Sequence, residues 1–179
     1  MSATNEQHHH VLKDRSPGHD AMMARALVLD ALAQALADPA MLAGPAEHSE
    51  LATVLREAAE KLGSAACRRA LFALADLPAH DEDALRERFQ RCIHPPDARP
   101  LPLYESLALS GHLVSPITEE VAHAYRRHGL EPDADLPDAA SVELAFLAYL
   151  VEAEAEALLV GETGRARRLR QEQRRFCQE

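Results

Sequence analysis

The sequence DAASVELAFLAYLVEAEAEALLVG occupies residues 138–161 and is the most apolar part of the chain. Its large apolar side chains are spread around much of the circumference of a helix, at Val142, Leu144, Phe146, Leu147, Leu150, Val151 and Leu159. A helix that is apolar on most sides is usually covered by other helices. Asp138 is placed to cap its N-terminus, and Gly161 is placed to end it. This stretch therefore predicts a long central helix.

The composition of the whole chain agrees with a helical fold. Ala and Leu together number 60, whereas Val, Ile and Thr together number only 14. Because Ala and Leu favour helices and β-branched residues favour strands, an all-α fold is expected. The 179 residues suit one domain of ordinary size. We predict a single-domain helical bundle of about seven helices, with short turns possible near Glu105.

Local signals divide the chain into segments. Residues 1–18 are polar and predict a disordered tail, and residues 19–179 form the helical domain. Two linkers interrupt that domain: residues 94–103, which hold four prolines, and the acidic residues 131–137. Cap residues predict further helix starts at Asp20, Ser64, Asp81 and Ser115. The first of these helices is expected to bury Met23, Ala26, Leu27, Ala31 and Leu32, and the helix after Asp81 to bury Leu85, Phe89, Cys92 and Ile93.

Charge, cysteine usage and hydropathy exclude several classes of protein. The formal net charge of −10 argues against a nucleic-acid binder. The longest apolar run, Leu144–Val151, is far shorter than the ~20 residues of a membrane helix. Three separated cysteines without a Cys-x-x-Cys pair argue for free thiols in a reducing compartment. We therefore expect a cytoplasmic protein without membrane insertion.

Enzyme signatures are missing from the chain, which contains no GxGxxG, GxxxxGK[ST], HExxH or GxSxG motif. We expect neither catalysis nor a cofactor. One alternative is a small metal-binding protein or enzyme that uses His112, His123 and His128. The five-residue separation of His123 and His128 does not suit two ligands on one helix face, so surface histidines are the simpler interpretation.

The charges of the C-terminal third are segregated along the chain. Residues 131–161 contain eight acidic residues and no Lys or Arg, whereas residues 162–179 contain six arginines and three glutamates. Such a distribution can attract a basic peptide to the acidic side. Alternatively, the last two helices pair with each other or with neighbours. A further alternative is an anion-binding adaptor whose last helix, with Arg165 and Arg175 near its ends, contacts an anionic partner.

Four segments, in order along the chain, resemble the TorD/DmsD/NarJ family of molybdoenzyme maturation chaperones. They are RFQRCI (88–93), PLYES (102–106), VAHAYRRHGL (121–130), and LPD (136–138) followed by ELAFL (143–147). The family's pattern has a histidine after the aspartate where this chain has Ala139, and Leu-Phe where it has Cys92 and Ile93.

The resemblance implies an all-helical chaperone that is not an enzyme. Its expected partner is the catalytic subunit of a molybdenum-cofactor oxidoreductase, whose N-terminal leader, often of twin-arginine type, it would hold during cofactor insertion and before export. Such a leader needs an apolar groove and carboxylates for its arginines. Phe89, Ile93 and Tyr104 are the expected groove residues, and the carboxylates are expected at Glu105, Glu131, Asp133, Asp135 and Asp138. A homodimer is also possible.

Overall fold

The computed structural model describes residues 17–43, 50–76, 81–96, 101–131 and 136–177. Within these residues the chain forms eight α-helices, one 3₁₀ helix and no strand, which confirms the all-α prediction. The α-helices are α1 (Pro17–Ala37), α2 (Glu50–Lys61), α3 (Ala65–Ala75), α4 (Glu82–Ile93), α5 (Glu105–Ser110), α6 (Pro116–Arg127), α7 (Ala140–Leu159) and α8 (Thr163–Phe176). The 3₁₀ helix is Pro39–Leu42. The helix beyond the predicted seven is α5, which lies where only short turns were expected.

Most predicted helix ends are confirmed because local capping governs them. The side chains of Ser64, Asp81 and Ser115 accept backbone N–H bonds at the starts of α3, α4 and α6. After α7, Gly161 adopts a φ of 78°, a left-handed conformation that glycine reaches at little cost. The start of α1 differs from the prediction. It begins at Pro17, and Asp20 lies in its first turn rather than at its N-cap.

Helix α7 is central because it buries two of its faces. One face, with Phe146, Leu150, Ala153 and Ala157, packs in a hydrophobic cluster with residues of α6 and α8. Another part of α7, with the buried Ala148 and Ala155, lies beside α1. The prediction of a central helix from its apolar circumference is therefore correct.

Helix α1 joins this cluster to a second one. Ala24 of α1 packs with Ala52, Leu55, Ala58, Ala59, Leu71 and Ala75 of α2 and α3. The buried positions of α1 are all alanines, namely Ala24, Ala26, Ala31 and Ala33. The prediction that Leu27 is buried is wrong, since 46% of this residue is exposed. The closely packed face of α1 is lined by alanines, and Leu27 lies at the edge of that face.

Candidate functional site

The segment before α5 runs alongside the segment before α7, although 32 residues separate them in sequence. Tyr104 and Ala139 form an isolated antiparallel β-bridge. The backbone N–H of Glu105 donates to the Asp138 carbonyl at 3.0 Å, and that of Ala140 donates to the Leu103 carbonyl at 2.8 Å. The starts of α5 and α7 therefore meet, and three predicted site residues, Tyr104, Glu105 and Asp138, come together.

Asp138 caps a different helix from the one predicted. Its carboxylate oxygen Oδ2 accepts the backbone N–H of Ser106 at 2.9 Å, in the first turn of α5. The N-cap of α7 is Ala139, which offers no side-chain acceptor. The prediction that Asp138 caps α7 is therefore wrong. The cap depends on tertiary structure, because the pairing of residues 103–105 with residues 138–140 brings the Asp138 carboxylate to α5, which is distant in sequence.

The second oxygen of the same carboxylate has no hydrogen-bond partner within the described part of the chain. Asp138 is fully buried, and its Oδ1 atom is unpaired. A buried carboxylate oxygen without a donor costs free energy. Its hydrogen-bonding capacity is therefore unused among the described residues.

Two further carboxyl groups surround Asp138. Burial raises the pKa of Glu143 to about 8, and the charge of Glu105, a hydrogen bond with the Glu105 side chain and the charge of Asp138 act in the same direction. The Oε1 atom of Glu143 is buried without a partner among the described residues. Glu105, Asp138 and Glu143 form what we call the acidic cluster. This shift favours the protonated form of Glu143 at neutral pH.

Tyr125 of α6 lies against the acidic cluster. Its hydroxyl donates to the Pro137 carbonyl at 2.8 Å. Burial, followed by the charges of Glu143, Asp138 and Glu105, raises the pKa of Tyr125 above its ordinary value. Its ring meets Phe146 edge-on, with centroids 4.6 Å apart. The tyrosine thus fixes the turn before Asp138 and closes one side of the cluster.

The predicted groove residues on α4 are only half-buried. Phe89 and Ile93 are of intermediate exposure, and α4 contains no buried residue. Cys92, predicted to point inward, is exposed, so that prediction is wrong. Helix α4 packs on the 3₁₀ helix, whose four residues are too few to cover it. The Ile93 carbonyl accepts a hydrogen bond from the Leu101 N–H at 2.9 Å. This bond holds Leu101, three residues before Tyr104, beside the C-terminus of α4.

The remaining predicted carboxylates are not part of the described cluster. Glu131 is exposed, just beyond the C-terminus of α6. Asp133 and Asp135 lie outside the described residues. The binding roles proposed for these three residues stay predictions.

The histidines of the metal-binding alternative do not form a metal site. Among the described residues, no group of three or more His, Cys, Asp or Glu side chains is arranged to hold a metal ion. His112 and His123 are exposed. His128 packs edge-on against Phe146 and Tyr149, with centroids 5.5 and 6.1 Å away.

Glu143, Ser106 and Tyr125 were not among the predicted site residues, although each contacts or joins the acidic cluster. Glu143 carried a signal, since it is a lone carboxylate among the apolar residues that begin α7. Ser106 and Tyr125 lie in the family-like segments PLYES and VAHAYRRHGL, but their contacts with residues 137–138 depend on the tertiary structure.

Comparison with known proteins identifies the family of the chain. A search of the curated proteins and of the solved structures found no match. None of the described helices is long and apolar enough to cross a membrane. Residues 45–179, which include the acidic cluster and all seven described α-helices after α1, match the family described as "Nitrate reductase delta subunit". The chain therefore belongs to the nitrate reductase delta subunit family, the family of NarJ- and TorD-type chaperones.

Proposed function

We propose that this protein is a maturation chaperone that captures the N-terminal leader of a molybdoenzyme catalytic subunit, and that the acidic cluster binds an arginine of that leader. The family consists of chaperones rather than enzymes, and it works with molybdoenzyme catalytic subunits. The leader, the retention of the subunit until its cofactor is inserted, and the residues involved are our inference.

The observation that carries the proposal is the unpaired oxygen of Asp138. A buried Oδ1 atom lies within a cluster of carboxyls, and the described residues supply no cation to that atom. An arginine guanidinium would supply N–H donors to it and balance the charge of Asp138 and Glu105. Glu105 is half-buried, so the cluster is not completely closed to solvent.

Apolar residues of α4 and of the segment after it would bind the apolar part of the leader. Phe89 and Ile93 lie one turn apart on α4, and Leu101, which is 55% exposed, is bonded to the end of that helix. Tyr104 then connects this apolar segment with the acidic cluster. An apolar stretch of the leader would lie along α4, with its arginine at Asp138.

The test is titration calorimetry of the full chain against twin-arginine leader peptides of molybdoenzyme subunits, each paired with an Arg-Arg to Lys-Lys peptide. Asp138→Asn retains an oxygen acceptor for the Ser106 N–H but removes the charge. We expect it to weaken binding by about tenfold, or ~1.4 kcal/mol. Glu156→Gln, which removes an exposed charge from α7, is the matched control and should leave affinity unchanged.

Two results would contradict the proposal. One is the absence of binding to every leader tested, and the other is equal affinity for the wild-type chain and Asp138→Asn. If Lys-Lys peptides bind as well as Arg-Arg peptides, the cluster does not recognise the guanidinium group.

A further inference from the structure

A second charged region lies near the opposite end of α7. A hollow of about 570 Å³ is formed between α1, α7 and α8, and its walls include Met22, Arg25, Glu154, Arg170, Gln173 and Arg174. Glu154 follows Glu143 by eleven residues, which places it ~16 Å farther along the helix axis. The hollow is therefore separate from the acidic cluster.

A buried carboxylate holds one wall of the hollow in place. Glu154 is buried and accepts hydrogen bonds from Arg170 Nε at 2.7 Å and from Gln173 Nε2 at 2.8 Å. Gln173 Nε2 also donates to the Leu150 carbonyl at 3.2 Å. The Arg170 guanidinium is thus held in a fixed position, and its charge is balanced by Glu154.

The charges of the other two arginines of the hollow are not balanced by a carboxylate among the described residues. Within the described residues, Arg25 of α1 and Arg174 of α8 make no ion pair, and both are exposed. The three guanidiniums and one carboxylate leave a local charge of +2 (three positive, one negative) in a chain whose formal net charge is −10. Two unpaired cations that project from different helices into one concave space are an arrangement suited to a doubly charged anion.

We propose that this hollow binds a small organic phosphate, with the phosphate held by the guanidinium groups of Arg25 and Arg174. Two N–H donors of each guanidinium match two phosphate oxygens, and a dianion neutralises the excess charge. Hollows of ~300–1,000 Å³ commonly hold small molecules. An adjoining hollow of about 440 Å³ also contains Met22 and Arg170, and is lined by Leu158 and Leu159. Its apolar wall provides space for the organic part of the ligand.

The experiment is calorimetric titration of the full chain with phenyl phosphate at constant ionic strength, with phenol and inorganic phosphate as separate probes. We expect saturable binding of phenyl phosphate, weaker binding of phosphate and no binding of phenol. Arg25→Ala/Arg174→Ala should weaken the binding of phenyl phosphate at least about tenfold. Neither arginine makes a hydrogen bond or ion pair within the described residues, so the fold should persist.

The matched control is Arg167→Ala/Arg168→Ala, which removes the same charge from exposed positions of α8 that do not line the hollow. It should change the affinity by less than about twofold. Arg25→Lys/Arg174→Lys retains the charge but not the paired donors, and should also weaken binding.

Three results would overturn the proposal. They are no saturable binding of phenyl phosphate, equal weakening by the two alanine pairs, or undiminished affinity in the lysine variant. Binding of an acidic peptide or of DNA, without binding of phenyl phosphate, would instead assign the arginines to a macromolecular partner. Leader binding, which depends on the acidic cluster, is measured separately and should not change in Arg25→Ala/Arg174→Ala.

Discussion

At the scale of single residues, Asp138 links the fold to the candidate site. One carboxylate oxygen holds the first turn of α5, and the other is buried without a partner among the described residues. The same side chain therefore has a structural and a proposed binding role. These roles can be separated, because the asparagine replacement retains an acceptor for Ser106 while it removes the charge.

Glu143 should make the stability of the protein depend on pH. Its pKa is raised to about 8 in the folded state, mainly by burial, from an ordinary value of 4.5. Between these values the folded state binds more protons than the unfolded state. The free energy of unfolding therefore falls as pH rises from about 4.5 to about 8, and this stabilisation is lost above that window.

Glu143→Gln should remove this dependence. From pH 5 to pH 9, the free energy of unfolding should fall by roughly 1–2 kcal/mol less in the variant than in the wild type. This difference is smaller than the full pKa shift implies, because the Glu143 side chain is partly solvated. Urea denaturation at both pH values measures the effect. Glu156→Gln serves as the control, and an equal pH dependence in all three proteins would refute the assignment.

At the scale of elements, the close approach of α1 and α7 depends on alanines. The buried residues of α1 are all alanines, and Ala148 and Ala155 of α7 lie beside that helix. Phe146 and Leu150 instead pack in the cluster that α7 shares with α6 and α8. The two faces of α7 thus contain side chains of different size, which sets how closely each neighbour can pack.

Ala155→Leu should destabilise the protein. Ala155 is fully buried beside α1, so three added carbon atoms would crowd that helix and should cost about 1–3 kcal/mol of unfolding free energy. Ala145→Leu, at an exposed position of α7, should stay within about 0.5 kcal/mol of the wild type. Denaturant unfolding compares the two variants. Equal effects would show that α1 does not restrict the volume at residue 155.

At the scale of the whole molecule, α1 and α7 connect two hydrophobic clusters. One cluster lies among α6, α7 and α8, and the other among α1, α2 and α3. Because α1 packs against both α2 and α7, neither cluster can unfold without exposing a face of that helix. We expect one cooperative transition.

The tyrosines allow this expectation to be measured. Tyr104, Tyr125 and Tyr149 all lie in the C-terminal half, and the chain has no tryptophan. Tyrosine fluorescence therefore reports on that half, whereas far-ultraviolet circular dichroism reports on all helices. The two denaturation curves should coincide for the wild type and for Leu55→Ala, whose midpoint should fall. An earlier loss of circular dichroism than of fluorescence would show that the two clusters unfold independently.

The sequence by itself determined the helical class, the central position of α7, the caps at Ser64, Asp81 and Ser115, and the resemblance that the family match confirms. These features depend on composition, periodicity and hydrogen bonds over a few residues. The resemblance also placed Tyr104, Glu105 and Asp138 among the eight residues expected to bind the leader. Their assembly at one place is a finding of the structure.

Only the tertiary structure decided which helix Asp138 caps, that Glu143 joins the cluster, that Leu27 and Cys92 are exposed, and that Arg25 and Arg174 line the same hollow. Each of these facts depends on which elements pack together. A helical period shows that a face is apolar, but it does not show which neighbour covers it or how closely. The pKa of a buried carboxyl depends in the same way on charges that are distant in sequence.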